Sequence, residues 1–271
     1  SAHISSLEKE LNARLFVRNT KEVKLSDDGK DLYRYARQMI DLQKKIEERF
    51  ETGKEESKHL ITIAASTIPA QYLLPKILMK FNERYPKEQV KLLETDSSQV
   101  VTQIIDHMVD VGFTGTVLEK KHCKYIPFYK DELVVITPNT EKYQKLLEDM
   151  PDDISWIGGE HLIMREEGSG TRKEAGKQLR AAGINLDKLK IIASIENQET
   201  IKKSVKQGMG ISVISRLAAE DEVKYGDLLA FSIPKADQGR DINLVYNKNY
   251  QMSKSTERFV KIVKEVYGIE E

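Results

Sequence analysis

The chain has 271 residues, in which 43 lysines and arginines balance 43 aspartates and glutamates. This length predicts about two domains, and the charge balance excludes a uniformly basic nucleic-acid-binding protein, so any contact with nucleic acid must be local. A single cysteine excludes an intrachain disulfide and fits the cytoplasm. Because the sequence has neither an apolar run of about 20 residues nor a secretion signal, we expect no membrane association.

The chain begins with an amphipathic pattern in which Ile4, Leu7 and Leu11 share one face, so we predict a helix. Residues 22–25 alternate polar and apolar side chains, which predicts a short strand after a basic turn. Residues 26–29 then predict a helix start, because a serine hydroxyl can cap the helix and the aspartates suit its first turn.

The helix that follows extends to about Phe50, with no proline and no glycine after Gly29. Its apolar residues recur at alternating four- and three-residue steps, with Gln43 filling the remaining step: Leu32, Ala36, Met39, Ile46 and Phe50. This spacing predicts a coiled-coil seam that joins two copies of the chain. The alternative is an ordinary amphipathic helix packed on its own domain. A polar, charged hinge follows at 52–58.

Beyond this hinge, strands and helices alternate, which is typical of a mostly parallel α/β sheet. We predict strands at 60–65, 89–94, 109–113, 125–128, 132–136, 161–164, 190–195, 211–214, 229–233 and 242–246. We predict helices at 68–84, 97–108, 171–182, 198–207, 216–224 and 253–267, the second of them capped by Ser97.

Polar loops follow several of these strands at their carboxyl ends, where open α/β sheets bind ligands. They are Ser66-Thr67, Thr114-Gly115-Thr116, Gly168-Ser169-Gly170-Thr171-Arg172 and Glu196-Asn197-Gln198. Each loop offers backbone N–H groups and a hydroxyl or amide at a strand exit or helix start, which favours an anion. Taken singly, each loop is better explained as a plain helix cap, but the corresponding positions of all four favour a shared site.

One motif near the start of the chain is long enough to indicate a family. The pattern S-x-x-I-x-x-L-E-x-x-L-x-x-x-L-F-x-R is matched at each fixed position by Ser1, Ile4, Leu7, Glu8, Leu11, Leu15, Phe16 and Arg18. Residues 23–29 then read V-K-L-S-D-D-G, where serine keeps the hydroxyl of the usual threonine. The chain therefore resembles the LysR-type transcriptional regulators.

The resemblance implies a winged helix-turn-helix fragment over 1–26, whose first helices would precede Ser1, and a linker and dimerisation helix with its hinge over 27–58. Part of a recognition helix would lie in the major groove of promoter or operator DNA, with the wing against phosphates or the minor groove. The DNA-binding residues it implies are Ser1, His3, Arg18 and Lys21.

For the rest of the chain, the resemblance implies a two-lobed α/β effector domain like the periplasmic binding proteins. The first lobe would hold 59–137 and 238–271 and the second 138–237, with crossings near 137–139 and 234–239. A small anionic metabolite or oxyanion would bind between the lobes, at Ser66, Thr67, Thr114, Ser169, Gly170, Thr171 and Gln198. Arg165 is a weaker candidate, since it can pair with Glu166 or Glu167.

The resulting hypothesis is a transcriptional regulator that works as a homodimer or homotetramer and is controlled by this effector. The alternative is a solute-binding receptor of a transport system, which should carry a secretion signal and no recognition helix. We expect no catalytic activity and no cofactor, because Ser169 lies outside a nucleophile-elbow motif. We also expect no metal site, because the histidines are scattered and His122-Cys123 lacks partners at ligand spacing.

Overall fold

A computed structural model describes residues 2–18, 23–50, 60–149, 153–234 and 239–269. The chain divides into two compact units, one of residues 1–58 with 106–108 and the other of residues 59–105 with 109–271. Within the described ranges, no helix combines the length and the apolar character that a bilayer crossing requires.

The first unit contains α1 (Ala2–Glu10), β1 (Phe16–Arg18), β2 (Val23–Leu25) and α2 (Asp27–Phe50). Strands β1 and β2 pair antiparallel, with Phe16 opposite Leu25, and form the two-stranded wing. The Glu8 carboxylate accepts hydrogen bonds from the backbone N–H groups of Leu15 at 2.8 Å and Phe16 at 3.3 Å. This glutamate of the motif therefore ties α1 to the start of the wing.

Ser26 and Gly29 join the wing to α2. The Ser26 hydroxyl accepts a hydrogen bond from the Gly29 N–H at 2.9 Å and donates one to the Arg14 carbonyl, which confirms Ser26 as the helix cap. A Cβ atom at position 29 would lie 2.0 Å from the Leu15 carbonyl oxygen. Only glycine permits this close approach of two backbones.

The predicted seam of α2 lies on its open surface. Met39 is 73% exposed and Ile46 is 52% exposed, so more than half of each residue is open to solvent. The Phe50 side chain lies outside the described residues. The exposed apolar face fits the predicted pairing with a second copy, which stays a prediction.

The second unit alternates strands and helices, as the sequence pattern indicates. Its strands are β3 (Leu60–Ala65), β4 (Gln89–Glu94), β5 (Val111–Thr114), β6 (Cys123–Asp131), β7 (Leu133–Pro138), β8 (His161–Met164), β9 (Lys190–Ser194), β10 (Ile211–Ser215), β11 (Leu228–Ser232) and β12 (Arg240–Asn247). Its α-helices are α3 (Leu74–Arg84), α4 (Ser97–Ile105), α5 (Glu141–Asp149), α6 (Gly170–Ala181), α7 (Gln198–Lys206), α8 (Arg216–Lys224) and α9 (Lys254–Tyr267). Sequence analysis did not predict α5.

A wider π-helical turn, Pro69–Leu73, precedes α3 inside the predicted helix 68–84. Pro75 has no N–H to donate to the preceding turn, and the Leu74 N–H donates to the Pro69 carbonyl, five residues back. Two short 3-10 helices, Ser155–Gly159 and Leu186–Lys188, complete the helical segments among the described residues.

Two five-stranded sheets form the described part of this unit, in the orders β4-β3-β5-β12-β6 and β11-β7-β10-β8-β9. The first sheet is parallel at β4-β3-β5, and β12 is antiparallel to both of its neighbours. In the second sheet, β8 runs parallel to β9 and β10, and β7 is antiparallel to β10 and β11. Each sheet defines one lobe.

The chain crosses between the sheets at Glu132, between β6 and β7, and again between Ser232 and Arg240. The predicted first crossing near 137–139, and with it the assignment of 132–137 to the first lobe, is wrong. The residues of β7 are buried over the whole strand, as expected for a central strand covered on both faces. Its partners β10 and β11 place it in the second sheet.

Each lobe has an aromatic cluster in its core. In the first, the Phe81 and Phe259 rings meet edge-to-face with centroids 5.2 Å apart, and Phe113 lies against Phe128 at 5.5 Å. In the second, Trp156 contacts Phe231 at 5.0 Å. Phe259 of α9 also faces Phe113 of β5, with centroids 6.3 Å apart, so the aromatic cluster of the first lobe joins a helix to its sheet.

Candidate functional site

A small polar cleft lies where loops from the two lobes meet. Its lining residues are Ser66, Thr67, Ile68, Thr95, Asp96, Ser97, Arg165, Ser169, Gly170, Thr171 and Arg240. Most of them directly follow a strand or begin a helix, so the ends of several elements converge on one small volume.

Two α-helices begin at the cleft, one from each lobe. The Ser169 hydroxyl accepts a bond from the Arg172 N–H at 3.4 Å and caps α6. At α4 the cap is Asp96, whose Oδ1 accepts the N–H groups of Ser98 at 2.7 Å and Gln99 at 3.0 Å. The prediction that Ser97 caps this helix is therefore wrong, because Asp96 already occupies that role.

Because Asp96 caps the helix, the Ser97 side chain is not used for capping and lines the cleft. It is 1% exposed, and its Oγ has no hydrogen-bond partner among the residues that the structure describes. A Cβ atom at Gly170 would lie 2.9 Å from this oxygen. Glycine at position 170 thus lets the second lobe approach the Ser97 hydroxyl closely, and leaves a buried polar group that costs free energy while unpaired.

Arg240 connects the lobes at the second crossing. Its Nε donates to Asp131 Oδ2 at 2.8 Å and its Nη2 lies 2.8 Å from the same oxygen, while its Nη1 donates to the Thr171 hydroxyl at 3.0 Å. Asp131 also accepts a hydrogen bond from Ser215. Arg240 is 5% exposed and Asp131 is 1% exposed, so this ion pair is buried.

Arg165 is the second cation of the cleft. Its Nε and Nη2 donate to the two carboxylate oxygens of Glu166 at 2.8 and 2.9 Å, and Nη2 lies 3.5 Å from the Thr67 hydroxyl of the other lobe. Arg165 therefore both pairs with Glu166, which sequence analysis raised as an alternative, and lines the cleft.

The structure brings five of the seven predicted effector-binding residues to the cleft: Ser66, Thr67, Ser169, Gly170 and Thr171. Two others do not line it. Thr114 is buried and its hydroxyl donates to the Thr116 carbonyl at 2.9 Å. Gln198 is 2% exposed, and neither of its side-chain amide atoms hydrogen-bonds to another residue within the described ranges. A ligand-binding role for any of the seven stays a prediction.

Sequence analysis missed four polar lining residues, namely Thr95, Asp96, Ser97 as a cleft residue, and Arg240, and the apolar Ile68. Thr95, Asp96 and Ser97 follow β4 as Ser66 and Thr67 follow β3, so the sequence also shows a polar loop at the carboxyl end of this strand. Nothing local marks Arg240, which reaches the cleft through pairing of β12 with β5 and β6.

The predicted DNA-binding residues belong to the first unit. His3 is exposed on α1, and Arg18 ends β1, although its side chain lies outside the described part of the chain. Ser1 and Lys21 also lie outside the described residues. Their contacts with DNA stay predictions.

The two lobes and their polar cleft define a small-molecule-binding domain preceded by a winged element. A family model described as the LysR substrate binding domain matches residues 54–268. The chain belongs to the LysR family of transcriptional regulators.

Similar proteins fit this assignment. The chain is 29% identical over 270 residues to an uncharacterized HTH-type transcriptional regulator of Methanocaldococcus jannaschii, covering 98% of this chain and 88% of that protein. The regulatory domain of Synechocystis CcmR, solved in complex with 2-PG, matches with a TM-score of 0.68 and 24% identity over 77% of this chain and 97% of that one. Full-length CbnR, solved with its target DNA, matches with a TM-score of 0.70 and 17% identity over 97% and 88%. These similarities favour the regulator over the transport receptor.

Proposed function

We propose that this regulator is controlled by a small metabolite whose anionic group binds in the cleft between the lobes. The observation that carries the proposal is the Ser97 hydroxyl, which is buried, lines the cleft and has no hydrogen-bond partner in the described part of the chain. Buried polar groups in folded proteins are nearly always hydrogen-bonded. A ligand acceptor at this position would satisfy Ser97.

Further donors around Ser97 support an anion. The cleft contains the first residues of α4 and α6, where backbone N–H groups and the helix dipole favour negative charge. Each arginine binds its acid through Nε and Nη2, so the Nη1 group of each lies outside that ion pair. The lining is mostly polar, with Ile68 as an apolar member.

Binding at this position would act on the angle between the lobes. Gly170 and Thr171 of the second lobe approach Ser97 and Arg240 of the first. A ligand held between them shifts the arrangement only through its different affinity for the open and closed states. A hundredfold preference supplies about 2.7 kcal/mol. Copies paired through α2 would then present their wings differently to operator DNA in the cytoplasm.

Ser97→Ala, with Ser98→Ala on the same helix as its control, tests the proposal. Without ligand, Ser97→Ala should leave the melting temperature unchanged or raised, because it removes an unpaired buried hydroxyl. Ligands are screened as sodium salts of phosphate, sulfate and small carboxylates, since stabilisation grows with concentration over Kd.

For any anion that stabilises the wild type, Ser97→Ala should weaken binding about tenfold, as expected for a lost hydrogen bond to a charged group. Ser98→Ala should bind like the wild type. If no anion raises the melting temperature, or if both variants bind as the wild type does, the cleft is not the effector site.

A further inference from the structure

Asp96 places a carboxylate in a cleft otherwise arranged for an anion. The two backbone N–H groups of α4 that it caps both donate to Oδ1, at 2.7 and 3.0 Å, and neither donates to Oδ2. A Cβ atom at Gly168 would lie 3.2 Å from each carboxylate oxygen. The carboxylate thus faces the second lobe across the cleft, with Oδ2 able to accept another donor.

The arginines that line the cleft do not give it an excess of positive charge. Arg165 is paired with Glu166 and Arg240 with Asp131, so each cation already has an acid. Asp96 adds a third acid, so the charged residues that line the cleft and their ion-pair partners comprise two arginines and three acids among the described residues. A ligand that offered only acceptors and negative charge would meet Asp96 unfavourably. The cleft therefore attracts an anion by hydrogen bonds more than by net charge.

We propose that the effector carries a hydrogen-bond donor next to its anionic group, and that Asp96 selects it by accepting that donor at Oδ2. The donor is an ammonium group, a hydroxyl group or a protonated phosphate oxygen. This inference rests on the proposed anion site and narrows its ligands to amino acids, hydroxy acids and hydrogen phosphates. It disfavours sulfate and simple carboxylates, which bring acceptors alone.

Asp96→Asn separates ligand selection from helix capping. Asparagine caps helices about as well as aspartate and keeps a carbonyl oxygen for the Ser98 and Gln99 N–H groups. Its amide nitrogen, however, donates where a carboxylate accepts. The variant should therefore fold normally and lose its preference for ligands with a donor.

Asp153→Asn is the matched control. Asp153 accepts the N–H of Ser155, two residues further on, through Oδ1 at 2.8 Å and the Ser155 hydroxyl through Oδ2 at 2.9 Å, just before the short helix Ser155–Gly159. It does not line the cleft. Both substitutions remove one negative charge and keep one oxygen that accepts a backbone N–H, so they differ in their place relative to the cleft.

The probes are five compounds of similar size. Glycolate offers a hydroxyl, glycine an ammonium and hydrogen phosphate a protonated oxygen, while acetate and sulfate offer no donor at neutral pH. Calorimetric titration of the 271-residue chain should give at least one donor-bearing compound a Kd tenfold or more below its donor-free counterpart. Asp96→Asn should raise the Kd of that compound at least tenfold, as expected for the loss of a charge-assisted hydrogen bond. The Kd of its donor-free counterpart should stay unchanged or fall. Asp153→Asn should match the wild type.

Equal binding of donor-bearing and donor-free compounds would overturn the inference, as would an Asp96→Asn variant that keeps the wild-type preference. Either result leaves the anion site intact, because anions still bind. A wild-type chain that binds none of the five compounds contradicts the anion site itself.

Discussion

The Asp131–Arg240 ion pair lies where the chain crosses between the lobes. Its contribution to the free energy of unfolding follows from its burial. Both partners are at most 5% exposed, and two guanidinium nitrogens share Asp131 Oδ2. Asp131→Asn would leave the Arg240 charge buried beside a neutral amide. Removing one partner of a buried ion pair costs about 3–5 kcal/mol. We therefore expect Asp131→Asn to lower the free energy of unfolding of the second unit by about 3 kcal/mol.

The next residue offers a matched control. Glu132 pairs with Arg216 through two hydrogen bonds, but their side chains are 43% and 44% exposed. Water screens such a pair, so Glu132→Gln should cost less than about 1 kcal/mol. The hydrogen bond from Arg216 lowers the pKa of Glu132. Its contribution is present above the unfolded-state pKa and is lost as pH falls through the lowered value, so the effect of Glu132→Gln should vanish in acid.

Urea unfolding followed by fluorescence measures both variants. Trp156 is the one tryptophan of the sequence, and it packs against Phe231 in the core of the second lobe. The two midpoints at neutral pH should differ clearly, with Asp131→Asn the lower. If Asp131→Asn costs no more than Glu132→Gln, burial does not make this ion pair important for the crossing.

Two further predictions concern a close backbone approach and the single thiol. Gly29→Ala should destabilise the first unit by about 1–3 kcal/mol or more, because its Cβ would lie 2.0 Å from the Leu15 carbonyl oxygen. Circular dichroism should show the resulting loss of helix. The control Gly158→Ala, with open space around the new Cβ, should leave the helix signal unchanged. Burial raises the pKa of Cys123 to about 11, so iodoacetamide should modify the native chain slowly at pH 8, faster with each rise in pH toward that value, and quickly in urea. Rapid native alkylation at pH 8 would contradict the burial of this thiol.

Much of the secondary structure could be predicted because it depends on local patterns. The strands Leu60–Ala65, Gln89–Glu94 and His161–Met164 have the predicted bounds. The Ser26 cap was equally predictable, since its partner Gly29 lies three residues away. The sheet to which β7 belongs was not, because a buried apolar strand carries no mark of the strands that will flank it.

The cleft residues also differ in whether local sequence patterns predict them. Ser66, Thr67 and the loop 168–171 could be predicted from their places at strand ends and helix starts. The partners of Arg240 could not, because Asp131 is 109 positions away and Thr171 is 69 positions away. Ser97 shows how a local assignment fails: serine beside aspartate at a helix start offers two possible caps, and the folded backbone uses Asp96.

The sequence by itself determined the family, the wing and the Ser26 cap, because these features involve residues within a few turns of one another. Tertiary structure alone decided which sheet receives β7, which acid neutralises Arg240, and that the buried Ser97 hydroxyl lines the cleft without a partner among the described residues. These features depend on contacts between distant segments, and periodicity along the chain does not encode which distant segments will meet.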